Sequence, residues 1–182
     1  MILAVLMLGG GQLFAASREE RAYQAAAAAF HDGIYDRAEA ELADFVQKYP
    51  NSLRLAEAVL LEAQAQCKQR KFTEAVVLLS APPGELGKFA DSYAYWLGEA
   101  QFGRGDYDHA ADTFTSLVAH FPDSKFRLTA LVEAASAFEH LGDWPQLVNL
   151  LGATNGVFAQ MAAQDGANEL VSRGRLLLAQ AQ

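Results

Sequence analysis

The chain of 182 residues contains one cysteine, Cys67, so neither an intrachain disulfide nor a cysteine-based zinc site can form within it. Basic charge is scarce. Fourteen Lys and Arg stand against 22 Asp and Glu, giving a net charge of −8 and a pI near 4.9, which argues against a nucleic-acid-binding domain held by phosphate contacts. An anionic membrane surface is a poor partner for the same reason. No apolar run reaches the ~20 residues that a membrane-spanning helix needs. The four histidines, His31, His109, His120 and His140, form no H-x-x-H or H-E-x-x-H cluster. Neither a metal nor a cofactor is therefore expected. Proline is also sparse, at 5 residues, while alanine reaches 35 and hydrophobic residues 52%. That balance excludes a mainly disordered chain and favours helices built from small residues around a packed core.

The first charged residue is Arg18, and everything before it, MILAVLMLGGGQLFAAS, is apolar, glycine or small. Met1 to Leu8 fit the apolar region of a secretory signal, and Ala15-Ala16-Ser17 offers the small residues that signal cleavage prefers. No basic residue precedes the apolar stretch, which departs from that pattern. Gly9-Gly10-Gly11 is expected to interrupt any helix there. Residues 1–17 are therefore read as a leader and the protein as exported.

Self-similarity dominates the rest. Phe30-His-Asp-Gly-Ile-Tyr35-Asp-Arg-Ala38, closing at Tyr49-Pro50-Asn51-Ser52, recurs as Phe102-Gly-Arg-Gly-Asp-Tyr107-Asp-His-Ala110, closing at Phe121-Pro122-Asp123-Ser124. The two prolines are 72 residues apart, and a further copy, Lys71-Phe72-Thr-Glu-Ala75, sits between them. A fourth is Gly142-Asp143-Trp144-Pro145-Gln146-Leu147. Ala38, Ala75, Ala110 and Leu147 then align with spacings of 37, 35 and 37. Each unit predicts an Ala-rich first helix (Glu20 to Phe30, Ala56 to Gln69, Ser92 to Phe102, Thr129 to Leu141), a glycine turn, and a second helix opened by an aromatic. The second helix carries its apolar stripe at helical spacing, as in Ala38, Leu42, Phe45 and Tyr49, or Ala110, Phe114, Leu117 and Phe121. Pro50 and Pro122 end it, and Ser52 and Ser124 are placed to cap the next helix. Small residues at Ala38, Ala75, Gly98, Ala110 and Ala135 let paired helices approach closely.

Leu97-Gly98, Gly105-Asp106-Tyr107, Ala110, Phe114 and Pro122 resemble the tetratricopeptide repeat, a pattern of about 34 residues. Ala94 and Gln101 stand where that pattern has aromatics. The fourth copy matches through Ala135, Phe138, Gly142-Asp143 and Leu151. The phrases YPNS and FPDS make the chain similar to the bacterial envelope members of the family, including those of outer-membrane assembly and the Tol–Pal system. The resemblance implies an all-α, right-handed superhelical α-solenoid. Its repeats would fall at 18–52, 53–88, 89–124 and 125–151. An irregular connection at 152–166 would follow, and then at 167–182 the first helix of an incomplete further repeat, with Leu176 to Gln182 exposing an apolar face.

No convergent set of titratable groups with catalytic spacing is present, so the chain is read as non-catalytic. Gly103-Arg104-Gly105-Asp106 lacks the Lys-Ser/Thr of a phosphate loop, and the repeat explains it as an interhelix turn. The resemblance instead implies a concave groove lined by the first helices, with a protein or peptide partner in it. Carried over by position, its lining is Tyr23, Ala27 and His31; Leu60, Gln64 and Lys68; Tyr95, Glu99 and Gly103; Val132, Ser136 and His140. Tyr23 and Tyr95 are the expected aromatic anchors. Lys68 stands without a basic residue at the matching position of the neighbouring first helices, which disfavours the family's carboxylate clamp. The expected function is a scaffold for protein–protein contacts in the bacterial cell envelope. The alternative is an accessory repeat module of a larger enzyme or secretion component whose remainder lies beyond residue 182.

Overall fold

The structure, a computed structural model, describes residues 7–182, with side chains from Arg18 onward. The expected leader thus lies outside the described residues over 1–6 and outside the described side chains over 7–17. Among the described residues there are ten α-helices and no strand. They fall into two compact units, Met1–Leu86 and Gly87–Gln182.

The first unit holds α1 (Met7–His31), α2 (Tyr35–Lys48), α3 (Leu55–Lys68) and α4 (Phe72–Ser80). Each packs on the next, and α1 also touches α3. The backbone of α1 runs through Gly9, Gly10 and Gly11, contrary to the expected interruption. Glycine weakens a helix but keeps its backbone N–H, so strong helix formers on one side can carry the ladder through.

The second unit holds a short 3-10 turn (Gly87–Phe89), then α5 (Ala90–Gly103), α6 (Tyr107–His120), α7 (Arg127–Leu141), α8 (Trp144–Gly152), α9 (Val157–Gln164) and α10 (Glu169–Gln180). α5 packs on α6, α6 on α7, α7 on α8, and α10 on both α7 and α8. The segment 152–166, expected to be irregular, contains α9. Phe158 of α9 is buried against Gly174 of α10, where a Cβ would come within 2.5 Å of its ring. Of the apolar face expected to be bare from Leu176 to Gln182, Leu177 is buried and Leu178 half-buried, while Leu176 and Ala179 are exposed.

The turns within the helix pairs follow from glycine. Gly33, Gly105 and Gly142 have φ of +77°, +83° and +69°, a left-handed conformation that glycine adopts without a Cβ clash. The turn's backbone bonds repeat: Ile34 N–H donates to Ala29 O, Asp106 N–H to Gln101 O and Asp143 N–H to Phe138 O. The pair α3–α4 makes the same turn, with Lys71 N–H donating to Gln66 O, but its left-handed residue is Arg70, at φ 63°.

Burial follows the repeat register. Ala38, Ala75, Ala110 and Leu147 are fully buried, as are Leu42, Phe114 and Leu117, while Phe45 is 1% exposed. Close approach explains the small residues: a Cβ on Gly98 would stand 2.5 Å from Phe114 Cε1. α2 and α6 stop at Lys48 and His120, two residues before Pro50 and Pro122. Ser52 and Ser124 do not cap the next helices as expected, because α3 and α7 begin three residues later. Each serine closes its own turn instead. Arg54 N–H donates to Ser52 Oγ and Phe126 N–H to Ser124 Oγ, at 3.0 and 3.1 Å. The hydroxyls in turn donate back one repeat, Ser52 to Glu19 and Ser124 to Asp91.

Candidate functional site

The expected groove positions lie on α1 and α3 in the first unit and on α5 and α7 in the second. They divide into covered and accessible residues. Tyr23 is only 4% exposed: its ring meets Phe45 edge-on at 5.7 Å, and the Arg54 guanidinium lies 4.4 Å over it. Burial, reinforced by the Glu57 carboxylate, holds its hydroxyl above the usual tyrosine range. Ala27 and Leu60 are buried as well. His31 and Lys68 are exposed and Gln64 is half-buried.

In the second unit Tyr95 is half-buried and stacked on Phe126, with ring centroids 4.3 Å apart and planes 7° from parallel. Burial, with the Glu99 and Glu133 carboxylates adding to it, raises its hydroxyl too. Tyr95 follows Tyr23, and Phe126 follows Arg54, at the 72-residue interval of the prolines. The two tyrosines are therefore stacking partners of the residue that leads into the following first helix, by cation–π contact in one unit and by π-stacking in the other. Glu99 remains half-buried and Gly103 exposed. Val132 is buried.

Ser136 is covered by α10. It is 3% exposed, its hydroxyl donates to Val132 O, and Arg173 Nη2 donates to it at 2.8 Å. The same guanidinium grips Glu133 at 2.6 Å from Nη1 and 3.3 Å from Nη2. His140 is exposed, yet its ring stacks on Tyr107 at 4.3 Å and meets Phe102 edge-on at 5.4 Å. Arg54, Phe126 and Arg173 were not anticipated. The repeat interval carried the signal for the first two, since both stand two residues after the YPNS or FPDS serine. Arg173 carried none, because its partners on α7 become visible only once α10 is folded back.

Among the described residues each unit buries two polar side chains, Glu62 and Gln66 in the first and Gln101 and Ser136 in the second. Glu39 of α2 accepts from Lys71 Nζ at 2.5 Å and from Gln69 Nε2 at 2.7 Å. Burial would raise this carboxyl, and those bonds outweigh burial and hold it below the usual range. Glu62 of α3 is 8% exposed, and burial first, then repulsion from Glu39, pushes it up to about 7. Among the described residues no three His, Cys, Asp or Glu side chains are grouped to hold a metal ion. None of the helices described there is long and apolar enough to cross a membrane.

Within each compact unit, helical hairpins in a register of about 36 residues stack on one another through first-helix positions, the pattern of a helical-repeat protein. Residues 22–52 and 91–124 match the tetratricopeptide repeat family, one stretch in each compact unit. A crystal structure of a kinesin-light-chain-like protein from Podosopora anserina, built of nearly identical TPR-like repeats, is 20% identical to the chain. It superposes with a TM-score of 0.67, covering 91% of this chain and 85% of that one. That chain carries a single substitution, and the same protein without it gives 0.66 with the same coverage. No curated protein shows significant similarity. The likeness establishes the fold: an all-α TPR-like repeat architecture.

Proposed function

We propose that the chain is a non-catalytic scaffold that holds a protein or peptide partner on its first helices, within a bacterial cell envelope that it reaches through the 1–17 leader. One observation carries the binding half of this reading. First-helix positions covered by the next helix are mostly apolar or small (Tyr23, Ala27, Leu60, Val132), whereas those left accessible are mostly polar (His31, Gln64, Lys68, Glu99). Polar side chains at the edge of the apolar core meet solvent, where a ligand's backbone and charges can reach them. The envelope half is supported by the apolar, charge-free 1–17 segment and by the YPNS and FPDS phrases.

The two halves are tested separately. Envelope extract is passed over immobilised wild type and over a Gln64→Ala, Glu99→Ala double variant whose melting temperature matches wild type. Loss of specific partners in the variant is the expected result, and unchanged partners would remove these positions from the binding face. For export, alkaline phosphatase is fused after Gln182 with and without residues 1–17. Enzyme activity that depends on 1–17 is expected, while equal activity in both would refute the leader.

A further inference from the structure

We propose that the first unit takes up one proton from solvent between Glu62 and Gln66, both on α3, and that this proton satisfies the buried Gln66 oxygen, stabilises the fold in acid and is released as the medium becomes alkaline. Gln66 carries an orphan acceptor. Gln66 is 7% exposed and its Oε1 is buried with no hydrogen-bond donor, while its Nε2 reaches only weakly, at 3.5 Å, toward Glu39. A buried acceptor without a donor costs free energy that folding must otherwise recover. Glu62 lies four residues earlier on the same helix, so the two side chains occupy one face one turn apart. An ionised carboxylate can only accept. A neutral carboxyl carries the O–H that the Gln66 oxygen lacks.

The surroundings favour that neutral form. Glu62 is 8% exposed among Ala58, Val59, Ala63 and Ala65, all at 3% or less. From α2, Glu39 repels its charge, whereas Arg37 with Glu41 and Lys48 with Asp44 are paired with one another. Lys71, at the start of α4, is spent on Glu39 and so cannot neutralise Glu62, and Glu74 of α4 is exposed. From α1, Glu20 is held by Arg54, which stands just before α3 about 12 Å along the helix axis from Glu62, and Arg54's other partner, Glu57, lies about 7.5 Å along that axis from Glu62. His31, at the far end of α1, and Lys68, at the last turn of α3, are both exposed. No cation among these is paired with Glu62, so a proton is the remaining way to neutralise it.

The sign follows from linkage. A carboxyl whose folded value is raised from 4.5 to about 7 gives stability that is complete below 4.5 and is lost as pH rises to about 7. The test is a ¹³C titration of the Glu62 carboxyl in the full chain, together with urea unfolding at pH 5 and pH 8. A midpoint near 7 is expected, and one near 4.5 would overturn the proposal. Glu62→Gln keeps the shape and supplies a permanent donor, so its unfolding constant relative to wild type should improve roughly a hundredfold between pH 5 and pH 8. An unchanged ratio would overturn the proposal. Gln66→Leu separates a shared proton from burial alone. Removing the acceptor should lower the Glu62 midpoint, whereas a raised midpoint would show that Gln66 plays no part. Should either variant fail to fold, the wild-type titration still decides.

Discussion

Arg70 occupies a backbone conformation that its three counterparts give to glycine. Gly33, Gly105 and Gly142 take positive φ without strain, while a Cβ at φ 63° meets the neighbouring carbonyl. Arg70 is exposed, so its side chain offers little packing in return. Arg70→Gly should therefore raise stability by about 0.5–1 kcal/mol after the added freedom of the unfolded glycine is subtracted. Urea unfolding would show the gain as a shifted midpoint at constant slope. The same substitution at an ordinary exposed helix position would do the opposite. The residues that turn the chain were thus legible in the sequence through Gly33, Gly105 and Gly142. The one that turns it without glycine was placed only through the register of Phe72 and Ala75.

Between elements, the fold is tied by contacts that reach back one repeat. Ser124 Oγ accepts from Phe126 N–H and donates to Asp91 of α5, so a single hydroxyl joins the turn before α7 to the start of the preceding first helix. Ser124→Ala removes both bonds at a part-buried site and should cost about 1–2 kcal/mol, read as a lower urea midpoint. α10 is held differently, through Arg173 on Glu133 and Ser136. Arg173 is 45% exposed, which screens its ion pair, so Arg173→Ala should cost only about 1 kcal/mol. Its signature is local: faster hydrogen exchange in α10 with α5 and α6 unchanged. The openings of α2, α4, α6 and α8 could be read directly, because an aromatic starts each one. α9 could not, since Gly152, Gly156 and Gly166 bracket its eight residues and make them look like a loop. Nor could the covering of Ser136, because helical spacing names the face a residue occupies and not the helix that will lie on it.

For the molecule as a whole, the titratable groups pull stability in two directions. Glu39, with Lys71 and Gln69 outweighing burial, and Asp106, accepting from His109 and Arg104, have carboxyls held below their ordinary values. They contribute stability above about pH 4–4.5 that disappears on further acidification. Glu62 acts oppositely, contributing below 4.5 and fading toward about 7. His109, raised by its bond to Asp106, adds stability below 6.5 that is lost as pH climbs through its folded value. The sum places maximum stability in mild acid, near pH 5, with Glu62 supplying about 2–3 kcal/mol of the fall toward pH 8. Lys71→Met tests how the two limbs are joined. Without the ammonium, Glu39 loses its strongest partner and its carboxyl rises toward the ordinary range, so it contributes less stability above about pH 4.5 and the acid-side loss should become shallower. In the alkaline limb Glu39 stays ionised, and its charge, no longer paired with an ammonium, repels the Glu62 carboxylate more strongly, so that limb should shift to higher pH. Urea midpoints measured from pH 3 to pH 9 should thus show a shallower acid limb and an alkaline limb displaced to higher pH in the variant. Movement of the acid limb alone would mean that Glu39 and Glu62 titrate independently.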